Sequence, residues 1–267
     1  MTAARRTRRI VEGGWYDYPA YFEIAFQSET KREAKFILDV WNRFGSGPLR
    51  RLLEPACGGG RVMRALAQRG YELVAFDDNP KALEHLRARL CDEGTTADVI
   101  SADLADFQIP APVDLAYCFC NTFRHLLSLR SAENHLRCVA KALKPGGIYL
   151  LGMHIMPVDV DPQDEERWSA SRGGVKVTTT MTVLETMSRQ RKEVLRIKMD
   201  VDSPTDRFRT VCETTLRLYN VAEIRKLLGR VREFELVETY DFLYDADDPI
   251  RLDEYSSDVV FVLRKKD

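Results

Sequence analysis

The sequence predicts a doubly wound α/β fold: a mostly parallel sheet with helices on both faces, interrupted by an inserted antiparallel sheet. Two observations lead there. Between residues 49 and 153, short apolar runs alternate with helical patterns across connections short enough to require βαβ units. Between about residues 172 and 219 the apolar period drops to two, the signature of strands with one wet face.

Taken in order, Thr30 and Glu33 have the spacing of a capping box, so a helix is expected from Thr30. Ala34, Ile37, Val40, Trp41 and Phe44 line one face of it, and Gly45 to Pro48 stop it. Leu52–Leu53 make a first strand ending at Glu54. The next helix turns Val62, Met63 and Leu66 inward and closes at Gly70. Leu73 to Phe76 form a second strand ending at Asp77. Asn79 then caps a helix with Pro80 in its first turn and Leu83, Leu86 and Leu90 in one stripe. Val99–Ile100 form a third strand ending at Asp103, and Val113 to Phe119 a fourth. A helix from Ser131 carries Leu136, Val139 and Leu143, and Pro145-Gly146-Gly147 turns the chain into a fifth strand, Ile148 to Met153.

In the insertion, Leu195, Ile197, Met199 and Val201 alternate with charged residues, as Val175, Val177, Thr179, Met181 and Val183 alternate with polar or small ones. Arg209 to Tyr219 supply a further stretch. Asn220 then caps a helix through Val221, Ile224, Leu227 and Leu228, and two strands follow near 233–240 and 258–264. The expected organisation is a tail and lid helix (1–45), a core (46–168), the insert (169–219) and a return to the core (220–267).

Composition excludes several classes. With 40 basic and 41 acidic residues the formal net charge is −1, which exerts no long-range pull on nucleic acid or an anionic membrane. Arg5, Arg6, Arg8 and Arg9 are expected to be a solvated tail. No apolar run approaches the roughly 20 residues of a membrane span, and no signal-like apolar region follows the arginines. Six cysteines without CxxC pairing imply reduced thiols in a cytoplasmic protein, with no disulfide framework and no metal site.

The chemistry gathers at Leu53-Glu54-Pro55-Ala56-Cys57-Gly58-Gly59-Gly60-Arg61, between a strand and a helix, where a parallel sheet opens a ligand crevice. Gly58 and Gly60 lack Cβ, so the backbone can turn tightly and a ligand can lie against it. A dinucleotide fingerprint would need glycine at Met63, and a phosphate-binding P-loop would need Lys-Ser/Thr where Arg61-Val62 stands. What remains is an acid at each of three strand ends: Glu54, Asp77 and Asp103. Converging on one crevice, they would repel phosphate and suit a ligand with hydroxyl and amine donors. Asp77, 17 residues beyond Gly60, is placed to accept both hydroxyls of a ribose.

At these residues the chain resembles the class I S-adenosylmethionine-dependent methyltransferases, in their small-molecule branch. The acidic-Gly-x-Gly-x-Gly pattern appears as Glu54 to Gly60, with Ala56 in the first glycine place. The resemblance covers about residues 15–155 and implies a Rossmann-like fold and S-adenosyl-L-methionine as cofactor. It implies that Ala56, Cys57, Gly58 and Gly60 hold the methionine moiety and that Asp77 holds the ribose diol, flanked by Asp78 and Asn79. It also implies that Asp103, with Ala102 and Leu104, receives the adenine and that Cys118 to Asn121 line the methionine part.

Methyl transfer is an in-line displacement in which the protein chiefly aligns donor and acceptor. Where a base is needed, His125 and His154 project from the right edge of the sheet, whereas His85 and His135 sit inside helices. Cys120 could serve as a nucleophile, although free cysteines are usually packing residues. Trp15, Tyr16, Tyr18, Tyr21, Phe22 and Phe26 could form a lid over a sulfonium, with Tyr21 expected near the methionine end. The insert either roofs an acceptor pocket or pairs two subunits as a homodimer. The expected function is methyl transfer to a small-molecule acceptor at O or N rather than C. The alternatives are an NAD(P)-dependent oxidoreductase and a non-catalytic, methyltransferase-like ligand-binding or partner protein.

Overall fold

In the computed structural model, which describes residues 8–157 and 165–266, the N-terminal arginines do not form a solvated tail as far as they are described. Arg9–Ile10 (β1) pairs in parallel with Phe208 and Arg209, and the Arg8 guanidinium lies 2.6 Å from Asp202. The tail expectation is corrected for Arg8 and Arg9, while Arg5 and Arg6 lie outside the described residues. A single helical turn, Trp15–Asp17, leads into α1 (Pro19–Ala25) and then α2 (Thr30–Phe44). The capping box does not form. Thr30 is already helical and Glu29 occupies the cap without a side-chain bond, because the Thr30 and Glu33 side chains both bind Arg61.

The alternating region follows: β2 (Arg51–Pro55), α3 (Arg61–Ala67), β3 (Glu72–Asp77), α4 (Pro80–Asp92), β4 (Asp98–Ser101), β5 (Val113–Cys118), α5 (Leu129–Ala142) and β6 (Leu143–His154). Asn79 caps α4 through the Lys81 and Ala82 amides, and Ser128, not Ser131, caps α5. Pro145-Gly146-Gly147 does not precede β6 but bulges within it. Leu143 pairs with Val113 and Ile148 with Leu115, so four residues oppose one.

Four antiparallel strands make the insert: β7 (Glu165–Arg172), β8 (Val175–Met187), β9 (Lys192–Asp202) and β10 (Arg207–Arg217). β7 begins before residue 169, and its weak alternation hid it in the sequence. The chain returns through α6 (Val221–Arg230), capped by Asn220, to β11 (Phe234–Tyr240) and β12 (Asp258–Lys265).

The main sheet has seven strands in the order β11-β12-β6-β5-β2-β3-β4. β12 is antiparallel to both β6 and β11, and the other pairings are parallel. Strand order reverses between β2 and β5, which is where a doubly wound sheet opens a crevice. One apolar core packs α5 and α6 on one face, and a second packs α2, α3 and α4 on the other. The second sheet, β1-β10-β9-β8-β7, turns Val177, Ile197, Met199, Val201 and Phe208 onto α1 in a third core. Arg196–Glu213 and Arg207–Asp202 ion pairs lie on partly exposed residues of this sheet.

Arg124 anchors this second sheet to the loop after β5 of the main sheet. Its guanidinium is buried against the Glu193 carboxylate of β9, and its Nε donates to the Arg217 carbonyl of β10 at 2.9 Å. Removing one member of a buried pair strands the other charge, whereas replacing both with apolar groups can be nearly neutral. Arg124→Met is therefore expected to lower unfolding free energy by about 3–5 kcal/mol, with Arg124→Met/Glu193→Met recovering most of it. Urea denaturation checks this; equal losses in the single and double variants would contradict it.

Candidate functional site

A cavity of about 770 Å³ lies at the carboxyl ends of β2, β3, β5 and β6. Its floor is the turn after β2. Ala56, Gly58 and Gly60 all have positive φ, at +48°, +53° and +74°. For Ala56 this is a sparsely populated conformation that the surrounding turn enforces. A Cβ on Gly58 would meet nothing within 4 Å, so the backbone there is open to a ligand. Gly60 has a different reason: its Cβ would stand 2.4 Å from Leu86 Cδ1, so glycine lets the start of α3 meet α4. Gly60 does not line the cavity, whereas Gly59, absent from the expected set, does.

Asp77 fastens this turn. Its Oδ2 accepts the Gly58 N–H at 2.7 Å and its Oδ1 the Asn79 N–H at 2.9 Å. Burial raises its pKa, partly countered by these backbone donors. Asp78 and Asn79 line the cavity beside it, with Asn79 Nδ2 donating to the Tyr16 carbonyl at 3.2 Å.

The three acids do not converge as expected. Glu54 lines the cavity, but its Oε2 accepts the Met63 N–H at 3.1 Å and the Tyr117 hydroxyl at 2.9 Å. Asp103 is exposed outside the cavity, its Oδ1 accepting the Ala105 N–H at 2.6 Å within its own turn, while its neighbours Ala102 and Leu104 do line the cavity. Cys118 is also outside, sealed in the core; Phe119, Cys120, Asn121 and Thr122 take its place. Tyr21 packs on Phe208 at 5.4 Å between ring centroids, on the roof side, so its expected place beside the methionine end is corrected. Its neighbours Trp15, Tyr16, Phe22 and Phe26 line the cavity instead. In a seven-residue helix such as α1, one position of offset moves a ring to another face.

Both candidate base histidines line the cavity. His125 Nε2 lies 3.0 Å from the Tyr16 hydroxyl, and burial followed by the Arg124 charge lowers its pKa. His154 Nδ1 lies 3.0 Å from Asp258 Oδ1. His85 instead contacts Glu23, and His135 is wholly buried between the Leu104 carbonyl and the Tyr149 hydroxyl. Cys120 reaches the cavity, but burial and the Glu33 charge push its thiol far up, which opposes nucleophilic use. Among the described residues, no cluster of His, Cys, Asp and Glu could hold a metal ion, and no helix is long and apolar enough to cross a membrane.

Sequence reasoning missed the residues that close the site. Glu23 is buried; although burial raises its pKa, the His85 and Arg64 bonds hold it below the usual carboxylate range. It binds Arg64 on α3 and His85 on α4, tying α1 down over Gly59. The roof contributes Trp168, Met181, Val183, Leu195, Ile197 and Leu216. Strand alternation indicated an apolar inner face but not what it would cover.

Burial pushes the Glu54 carboxyl from 4.5 to about 8. The folded state therefore holds its proton more tightly than the unfolded chain. The resulting stability is fully present below about pH 4.5 and is lost as pH rises through about 8. Glu54→Gln keeps an oxygen for the Met63 and Tyr117 donors and is expected to flatten the decline in stability between those limits. Melting temperature against pH checks this; an unaltered slope would refute it.

Residues 52–147 match a family model described as "Methyltransferase domain". The chain is 31% identical over 100 residues to a ubiquinone biosynthesis O-methyltransferase of Azoarcus, covering 37% of this chain and 41% of that protein. It thus spans about two fifths of that relative's length. A solved S-adenosylmethionine-dependent methyltransferase from Clostridium acetobutylicum superposes with TM-score 0.77 at 14% identity, covering 95% of this chain and 99% of that one. A sugar N-methyltransferase from Streptoalloteichus superposes with TM-score 0.73 at 16% identity, covering 100% and 99%. At such identities the structural likeness speaks for the fold, and the domain match coincides with the strand-and-turn region that forms the cavity floor. Residues 52–147, which include the glycine turn fastened by Asp77, are thus similar to a methyltransferase domain, and the chain as a whole shares its fold with solved S-adenosylmethionine-dependent methyltransferases.

Proposed function

We propose that this protein transfers a methyl group from S-adenosylmethionine to a small-molecule acceptor at oxygen or nitrogen. The observation behind this reading is one cavity with two kinds of wall. Its floor is a backbone turn open at Gly58 beside a buried aspartate, and its roof is an apolar sheet. Its volume of about 770 Å³ suits a nucleoside-sized cofactor together with a small acceptor.

The residues present fit that cofactor. Asp77 would take the ribose diol on its remaining lone pairs, Ala102 and Leu104 would flank the adenine, and the Ala56–Gly59 turn with Asn121 would hold the methionine moiety. When bound, the cofactor supplies a methyl group on a sulfonium leaving group. The chain's own work is to align the acceptor beneath the roof, exclude water with the Trp15–Phe26 aromatics and accept a proton on His125 or His154.

Charge narrows the acceptor. Arg61 and Arg124, the arginines lining the cavity, are paired with Glu33 and Glu193. Glu29 and Glu166 line it without a cation at salt-bridge distance among the described residues. A neutral or amine-bearing acceptor suits this wall, and a phosphorylated one does not. The same acids oppose the pyrophosphate of NAD(P), as does Met63 in place of a third glycine. We also read the protein as cytoplasmic, from its six free cysteines, and without a nucleic-acid partner, from its charge balance, and the antiparallel sheet as a lid over the acceptor, with homodimerisation as its other use.

S-adenosylhomocysteine is expected to raise the melting temperature, and NAD(P) to leave it unchanged. Calorimetry showing no uptake of S-adenosylhomocysteine would overturn the assignment. Asp77→Asn should weaken that uptake at least about tenfold, the worth of one hydrogen bond to a charged group. An unchanged affinity would remove Asp77 from the ribose site. Labelled methyl transfer to a panel of hydroxyl and amine acceptors, catechol and glucosamine among them, tests turnover and separates an enzyme from a ligand-binding homologue.

A further inference from the structure

We propose that His154 and Asp258 form a dyad on the acceptor side of the cavity, with His154 as the proton acceptor and Asp258 as its positioning residue. The proposal rests on the methyl-transfer reading and decides between the two histidines.

The dyad arises from strand pairing. β12 runs antiparallel to β6, and the register sets Asp258 opposite His154, the last residue of β6. Directly opposed residues bring their side chains within reach of one another. Here the pair meets at 3.0 Å between Nδ1 and Oδ1, and both residues line the cavity. A carboxylate at Nδ1 holds the proton on that nitrogen, leaving the Nε2 lone pair bare. The main chain beneath is fixed as well. Asn121, at φ +64° just after β5, accepts the His154 N–H on its Oδ1 at 2.6 Å. The strand behind it is wholly buried from Tyr149 to Leu151 and at Met153.

His125 lacks this arrangement. Its Nε2 is engaged with the Tyr16 hydroxyl, and its neighbour Arg124 disfavours a positive charge on the ring. An imidazolium formed at His154 would instead lie against a carboxylate. In the step, a bond forms from the acceptor oxygen or nitrogen to the methyl carbon as the carbon–sulfur bond breaks. The bonding pair stays on sulfur, and the acceptor's proton passes to His154 Nε2. The products are the methylated acceptor, S-adenosylhomocysteine and an imidazolium paired with Asp258.

The test uses the full chain with ¹⁵N-labelled histidine, saturated with S-adenosylhomocysteine, with His154→Gln identifying the His154 resonances. The expected result is an Nδ1–H tautomer at His154 that moves toward Nε2–H in Asp258→Ala. On any acceptor of the panel that turns over, His154→Gln is expected to lower kcat by about 10²-fold or more while leaving S-adenosylhomocysteine affinity unchanged. His125→Gln should not reproduce that loss. An Nε2–H tautomer at His154 in the unaltered protein, or undiminished kcat in His154→Gln, overturns the dyad. Failure of the unaltered protein to take up S-adenosylhomocysteine would instead sink the methyl-transfer reading, so the two failures are distinguishable.

Discussion

The site depends on one carboxylate. Asp77 joins the end of β3 to the turn after β2 through the Gly58 N–H and to the start of α4 through the Asn79 N–H. The Gly58 amide belongs to a turn in which Ala56, Gly58 and Gly60 all adopt positive φ, a conformation that must be held from outside. A charged acceptor fixing backbone donors in a buried place does this, since an unpaired amide there would be costly. The same bonds set the backbone on which a cofactor would rest, so the fold's stability and the cavity's shape share one origin.

Around that point the molecule is closed by charge rather than by apolar contact alone. Glu23 ties α1 to α3 and α4, Glu33 ties α2 to Arg61, and Arg124 ties the loop after β5 to Glu193 in the second sheet. Each is a buried or nearly buried pair bridging elements distant in sequence. Such pairs add little net stability over apolar replacements but penalise misplacement heavily. They therefore specify where α1 and the second sheet sit over the crevice, whose walls both supply.

The ionisable groups lining the cavity divide by environment. Glu54 is held protonated by burial, Asp77 is committed to the backbone, and Arg61 and Arg124 are already neutralised. His154 retains a carboxylate partner and, among the described residues, a second ring nitrogen without a hydrogen bond, in a part-buried place, an arrangement suited to receiving a proton. Similar side chains thus divide into structural and chemical roles by their depth and their neighbours.

Local chemistry made much of this legible in the amino-acid order alone. Strand–helix alternation, Asn79 and Asn220 as caps, the glycine turn and the acid at the end of β3 follow from short-range rules, because period, cap and φ preference act within a few residues. Long-range contacts were beyond reach. The Thr30–Glu33 capping box yielded to Arg61, 31 and 28 positions away, and Asp103 turned onto its own loop. Tyr21 went to the roof while its neighbour Phe22 went to the cavity. The pairing of Asp258 with His154, 104 positions apart, exists only because β12 inserts beside β6. Which carboxylate meets which cation or imidazole is decided by packing, since burial sets the cost of leaving a charge unmatched and only the assembled layers determine what is buried.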